Sequence, residues 1–285
     1  MKYRRDLLKA IENVASVPTL PTVMERITML LQNPQTSAEE IGRAITTDQS
    51  LASKVLKLVN SAFYGFPGRI STITHAVVIL GFATIKNIVL TATIIDVFRK
   101  RQAGIAGFDM EQFWFHSVAC GAAAKSLAKL VGCNEREECF IAGLLHDIGK
   151  IIICQYLPDE FEQIVTNAQK KHILFLESEG QLFRTSHQEI GGFLTESWNL
   201  PQNLQYPVNF HHQPQPGDKY YTITAIVHIA DILVRAMDYG NSGDQKIPKA
   251  SHRVWEDLGL NHLSLQQVLE SVNDEVEKAT VFMQI

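Results

Sequence analysis

Residues 142–153 read AGLLHDIGKIII. An imidazole, a carboxylate and an ammonium stand inside a run that is otherwise apolar. The length and composition of that run predict a buried helix. Burying His146 and Asp147 side by side costs free energy, and hydrogen bonds or a cation must offset it. Lys150 follows His146 by one turn and Asp147 by three residues, so a continuous helix puts all three on one face. There Lys150 could meet a phosphate or reach past its neighbours to solvent.

Working outward, the second half of the chain keeps the helical pattern. Helices are expected over 111–131, 135–156, 158–178, 187–197, 201–211 and 220–239, with Pro201 just inside the fifth. Residues Asn241 to Asp244 read as a surface turn. Ser264 with Gln267 forms a capping box before a last helix whose inward side is Leu265, Val268, Leu269, Val272 and Val276. No stretch alternates as a strand does.

These helices carry more charge-bearing residues on apolar faces. His116 lies one helix upstream of the His-Asp pair, and His187 opens a later helix. His211 and His212 close the next, and Asp231 sits in IVHIADILVRA. Each has a bland alternative. His116 could be a satisfied core histidine and His187 a surface residue near a helix start. His211 and His212 could simply favour the helix C-terminus, and Asp231 could pair with Arg235. One metal centre would account for the whole set. Imidazole nitrogens with carboxylate oxygens suit divalent transition ions, with Fe or Mn favoured and Zn or Ni alternatives. Asp147 has two oxygens and could bridge two ions. Two-metal sites clamp a phosphate and activate water. His75, His172, His228, His252 and His262 lack such partners and read as surface or packing residues.

The first half predicts five or six short helices. One falls within 1–16, and a second spans Thr22 to Gln32 with Val23, Ile27, Leu30 and Leu31 on one face. Ser37 with Glu40 is a capping box for the third, and Asp48 caps the fourth. The most apolar region runs from Ile70 to Phe98. Its longest charge-free part, which ends at Lys86 and contains Thr72, Thr74, His75 and Thr84, is too short and too polar to span a bilayer comfortably. The region reads as a buried helix pair meeting near Gly81. The glycine-rich stretch Gln102 to Asp109 is the expected joint. It divides an N-terminal helical lobe, 1–105, from a second helical domain, 106–285. The loop NSAFYGFPGR, 60–69, carries Phe63, Tyr64, Phe66 and Arg69, which either face a partner protein or plug the gap between helices.

Composition narrows the function classes. The 285 residues are 46% hydrophobic and 20% charged, as in a globular protein, and the net charge of −4 gives no broad basic surface for nucleic acid. The four cysteines (Cys120, Cys133, Cys139 and Cys154) form no C-x-x-C pair and read as buried thiols of a reducing cytosol. The N-terminus lacks the apolar core of a signal peptide. A cytoplasmic protein with no membrane contact is expected.

Together these stretches resemble the HDOD family, a branch of the HD superfamily of metal-dependent phosphohydrolases. VPTLPTV (17–23), DQSLASKVLKLVNSAFYG (48–65), ISTITHAVVILG (70–81) and FWFHSVACGAAAKSLA (113–128) carry the likeness. So do AGLLHDIGK (142–150), HQEIGGFLTESWNLP (187–201) and the HH pair at 211–212. It extends over roughly residues 15–235. The resemblance implies an all-α fold, an N-terminal helical lobe packed against an HD-like helical domain, and a bacterial regulatory or signalling role. Comparison with the related HD-GYP phosphodiesterases implies metal ligands at His116, His146, Asp147, His187, His211, His212 and Asp231. It also implies a phosphate-holding lysine at Lys150. Two features depart from that class. Gln112 stands where trinuclear members place a glutamate, which removes a charge that a third ion needs. The diagnostic HHE-x-x-D-G-x-G-Y-P reads HHQPQPGDKYY, so the loop expected to shape a cyclic dinucleotide pocket is eroded.

Two expectations follow. The first is a signalling module that retains an HD-type centre of one or two ions and binds a signalling protein. The second is a metal-dependent phosphohydrolase acting on a phosphate-containing small molecule, with Asp147 and Lys150 in the catalytic machinery.

Overall fold

The fold was analysed in a computed structural model, which describes residues 6–12, 19–33, 35–99 and 107–285. The chain begins with α1 (Leu7–Glu12), α2 (Thr22–Gln32), α3 (Ala38–Thr46), α4 (Gln49–Val59) and α5 (Ile73–Arg99). It continues through α6 (Met110–Leu130), α7 (Arg136–Leu145), α8 (Ile148–Tyr156), α9 (Pro158–Lys171) and α10 (Phe175–Leu182). It ends with α11 (His187–Ser197), α12 (Gln202–Phe210), α13 (Tyr221–Ala236), α14 (His252–Asp257) and α15 (His262–Ala279), then a 3-10 turn at Thr280–Gln284. The protein is all-helical, with no β-strand among the described residues.

The chain forms two compact units. One comprises residues 1–17 and 102–276, the other residues 18–101 and 277–285. Each chain terminus therefore belongs to the unit that its sequence neighbours do not build. The N-terminal α1 packs on α11, where Thr185 donates to the Asp6 carboxylate at 2.8 Å.

In the smaller unit, capping chemistry sets the helix starts. Ser37 and Glu40 complete a reciprocal capping box on α3, and Asp48 accepts the Leu51 N–H at the start of α4. Helix α5 is two arms, because Gly81 (φ 80°, ψ 163°) takes a conformation that side chains disfavour. Its second arm buries Ile85, Ile88, Val89, Ala92 and Ile95. The 60–69 loop divides between its two expected roles. Phe63 turns inward and stacks edge-on against Phe282 at 5.1 Å, so it belongs to the core. Arg69 is exposed, and Tyr64 and Phe66 are half-buried.

The larger unit is built around α6, which packs on α7 and α13. Two glycines allow α6 and α7 to touch backbone to backbone. A Cβ on Gly143 would lie 2.8 Å from the Cys120 carbonyl oxygen, and one on Gly121 would lie 2.7 Å from that of Phe140. All four cysteines are buried and free.

Three of the expected elements need correction. The expected 135–156 helix breaks at His146 and Asp147 into α7 and α8, and the 158–178 helix breaks at His172, which is left-handed (φ 52°). The stretch from Asn241 to Asp244 is not a surface turn. Ser242 and Asp244 are buried, with Asp244 accepting the Phe175 N–H and pairing with Arg235. Helix α14 was not anticipated, since its six residues show too little periodicity. Other expectations touch residues outside the described set: the 1–16 helix beyond residues 6–12, the Leu31 side chain, the start of VPTLP, most of the Gln102–Asp109 joint, and the Ser264 side chain. Helix α15 itself starts at His262, two residues before the expected cap.

Contrary to the expectation for the 70–98 region, Ile73–Phe98 is long and apolar enough to cross a membrane by length and composition, because Lys86 alone interrupts its apolar run before Asp96; Arg136–Tyr156 passes the same test. The first is interrupted at Gly81 and the second at the His-Asp pair, and 89% of the second is buried inside the protein.

Candidate metal centre

The break between α7 and α8 is what aims the His-Asp pair. Neighbouring side chains on a continuous helix diverge by about 100°. At the break Asp147 leaves helical geometry (φ −101°, ψ 11°), and its Oδ2 comes to 3.2 Å from His146 Nε2. The α8 helix then restarts, with the Lys150 N–H donating to the Asp147 carbonyl. Helix α8 reaches its partner α11 through Gly149, where a Cβ would lie 1.9 Å from the His187 carbonyl oxygen.

The seven ligand candidates converge in two groups that share Asp147. On one side, His116 Nε2 lies 3.2 Å from Asp231 Oδ1 and 4.0 Å from Asp147 Oδ2, and His146 Nε2 lies 3.7 Å from Asp231 Oδ1. On the other, Asp147 Oδ1 lies 3.3 Å from His187 Nε2 and 3.7 Å from His211 Nε2, while His212 Nε2 is 3.1 Å from His187 Nε2. Potential ligand atoms of His116, His146 and Asp231, one per residue, lie within 4.8 Å of one another, as do those of Asp147, His187, His211 and His212. Asp231 does not take the alternative of pairing with Arg235, because that guanidinium is engaged by Asp244.

The back of each ring fixes which nitrogen faces the centre. A carbonyl oxygen can only accept, so His146 Nδ1 donates to Gly143 O at 2.7 Å and His211 Nδ1 donates to Val208 O at 3.1 Å. Both leave Nε2 without its proton in the neutral ring. No hydrogen-bond partner meets the buried atoms His116 Nε2, His146 Nε2, Asp147 Oδ1, His211 Nε2 or Asp231 Oδ1. Orphaned buried polar atoms are expensive and rare. Here they all point at one place, and nitrogen and carboxylate donors at these separations fit transition-metal ligation.

Electrostatics agree with that fit. Burial alone would raise the Asp147 carboxyl, but the His146 and Lys150 charges outweigh it and hold it well below the usual carboxylate range. Asp231 is likewise held down against burial, by the neighbouring His116 and His146 imidazoles and by the Arg235 charge. Burial is the largest influence pushing His116 and His212 down, and it brings His211 to about 3. These imidazoles are therefore neutral at pH 7, as ligands must be. His146 is the exception. Burial pushes it down, but Asp147 and Cys120 outweigh that and it is held well above its ordinary value.

Three residues behind the ligands were invisible in the sequence. Glu179, fully buried on α10, accepts the His187 backbone N–H at 2.8 Å and lies 2.7 Å from His187 Nδ1. Burial raises Glu179 and lowers His187, so the isolated pair is neutral. A cation at His187 Nε2 would reverse that balance. Ser242 offers its carbonyl to Lys150, and Asp244 ties the same loop to the start of α10. Glu179 lies eight residues before His187 in a segment that reads as a polar helix, and no spacing rule marks it.

Lys150 is fully buried. Its Nζ donates to Asp147 Oδ2 at 2.7 Å and to Ser242 O at 3.0 Å, and it lies over the Phe175 ring at 4.8 Å from the centroid. Of the seven ligand candidates, all but the half-buried His212 are sealed from solvent. Gln112 is exposed and its carbonyl accepts the Asn241 N–H. His228 is a packing residue, donating through Nδ1 to the His211 carbonyl at 2.8 Å.

An all-helical unit with a His-Asp pair at a helix break, ringed by further histidines and an aspartate, defines a protein of the HD type. The HDOD domain model matches residues 17–214, and the chain belongs to that family. A solved HDOD domain protein of unknown function from Geobacter sulfurreducens superposes with a TM-score of 0.80. It is 27% identical, over 96% of this chain and 97% of that one. A candidate phosphohydrolase from Shewanella amazonensis SB2B shares the fold at a TM-score of 0.74 and 22% identity, with 99% and 98% of the two chains covered. An uncharacterised protein of Treponema pallidum (strain Nichols) is 26% identical over 241 residues. These cover 84% of this chain and 46% of that protein, so this chain spans about half the length of that relative.

Proposed function

We propose that this protein is a cytoplasmic signal-transduction module that retains an HD-type centre for one or two divalent ions, with Fe or Mn favoured. His116, His146, Asp147 and Asp231 would hold one ion, and Asp147, His187, His211 and His212 the other. The observation that carries this reading is the state of Lys150. The Lys150 ammonium beside the ligands is committed to Asp147 and to the Ser242 carbonyl, and it is sealed from solvent. It positions a ligand and is not presented to a phosphate. The burial of six of the seven ligands supports the same reading. Ions bound there would brace α6, α8, α11, α12 and α13 against each other. A signalling protein would engage the exposed Arg69 with the half-buried Tyr64 and Phe66.

A second reading rests on Asp147, whose two oxygens face separate donor groups. Bound divalent ions would polarise a phosphoryl oxygen and lower the pKa of water. This chain's residues would orient that pair of charges through Asp147 and admit substrate past His212, the one partly open ligand. The eroded 213–220 loop disfavours a cyclic dinucleotide and leaves a smaller phosphate compound as substrate.

Metal analysis of protein purified without added ions, followed by a nucleotide and phosphomonoester screen with Mn²⁺ or Fe²⁺, separates the two. Bound metal with no turnover supports the signalling module. Turnover that disappears in Asp147→Ala overturns it in favour of the hydrolase.

A further inference from the structure

Glu179 is a buried acid with no role in the ligand set. It meets the His187 residue twice: Oε1 accepts the backbone N–H at 2.8 Å, and Oε2 lies 2.7 Å from the ring Nδ1. The helix that carries it is fixed at its start, where the Phe175 N–H donates to Asp244 and Glu177 caps Leu174. The Phe175 ring packs beside His187, with centroids 5.9 Å apart. Helix α10 is thus a plate behind one ligand.

We propose that Glu179 is the positioning residue of the second ion subsite, selecting the His187 tautomer that ligates. This inference rests on the metal reading above. A ligating His187 must offer the Nε2 lone pair, so its proton sits on Nδ1 and needs an acceptor there. The backbone N–H of the same residue needs a second acceptor, because it too is buried beside Glu179. Only a carboxylate supplies two acceptors in one plane. A glutamine supplies one acceptor and one donor. If its oxygen keeps the backbone bond, its amide faces Nδ1 and drives the ring proton to Nε2, where it blocks the ion. If it turns over, it sets two N–H groups of glutamine and backbone against each other. His146 and His211 solve the same problem with helix carbonyls three residues back. His187 opens α11 and has no helical carbonyl behind it, so the acceptor comes from another helix.

The test uses the full chain with Zn²⁺, which is diamagnetic. Glu179→Gln should retain the ion at His116, His146 and Asp231 and weaken the other by about 10- to 100-fold, the usual cost of removing such an outer partner. Bound zinc would fall from two equivalents toward one in dialysis, with the helical content of the parent preserved. In the zinc-loaded parent, nitrogen-edited NMR should give a slowly exchanging, strongly deshielded His187 Nδ1 proton. That signal does not depend on the variant folding. Two ions held equally by parent and Glu179→Gln, or a zinc-loaded parent with no His187 Nδ1 proton, would overturn the proposal alone. A parent that binds no zinc would overturn the metal reading and this inference with it.

Discussion

Gly149→Ala probes the contact on which the centre's geometry depends. An added Cβ would lie 1.9 Å from the His187 carbonyl oxygen and 2.8 Å from the Gly191 nitrogen. Both neighbours are main chain, so no side chain can swing aside. Ordinary contact begins near 3.4 Å, so α8 and α11 must separate by about 1.5 Å. Overpacking of that kind costs about 3 kcal/mol. Alanine returns about 1 kcal/mol of helix propensity, leaving a net loss of about 2 kcal/mol. A unit of this size loses about 2–4 °C in Tm per kcal/mol, so the expected drop is about 4–8 °C. The same shift carries His187 away from Asp147 Oδ1, now 3.3 Å away, and should release the ion between them. Gly180→Ala is the matched control. Its Cβ would meet no atom within 4 Å on α10, so Tm should rise by about 2–4 °C. Thermal unfolding of both variants, with metal counted on each, is the assay. A Gly149→Ala protein with the parent's Tm and metal content would refute the geometric argument.

Two further outcomes follow from the charges. Lys150→Met removes the cation beside Asp147 from a sealed site, so the metal-stripped variant should lose about 3–5 kcal/mol, the cost of an uncompensated buried charge. Bound ions would supply the missing charge, so Tm measured with and without chelator should diverge more in the variant than in the parent; equal differences would contradict this. Metal uptake should also release protons. His146 is held protonated by Asp147 and Cys120 despite burial, and Glu179 is held protonated by burial, yet both must give up their protons beside a cation. The folded pKa of each is raised, so lowering pH favours the protonated, metal-free form. Apparent affinity should weaken by about tenfold per pH unit for each proton released. Calorimetric titration in buffers of different ionisation enthalpy counts those protons, and a pH-independent affinity would contradict the assignment.

Much of the fold was legible because local chemistry and tertiary packing agree. The 22–32 helix, the Ser37–Glu40 box, the Asp48 cap and the 187–197 helix all appear where their patterns put them, although α2 buries Met24 with Ile27 and leaves Val23 and Leu30 half-buried. The ligand candidates were legible for the opposite reason: charge on an apolar helix face conflicts with its surroundings and so stands out. What escaped had no such contrast. The break at His146–Asp147 lies in a run that is apolar on every side, where periodicity cannot distinguish one buried helix from two. Ser242 and Asp244 have turn composition, and only the distant contacts to Lys150, Phe175 and Arg235 bury them. Phe63 reads as a loop aromatic until Phe282, more than two hundred residues later, is seen against it.

The proposed centre joins imidazoles and carboxylates from five helices around cations. An anomalous-scattering map from crystals of the protein purified without added metal, recorded on both sides of the Fe and Mn edges, would locate those ions. One or two peaks are expected, with Asp147 touching each. A map with no peak among His116, His146, Asp147 and Asp231, and ordered water in their place, would contradict it.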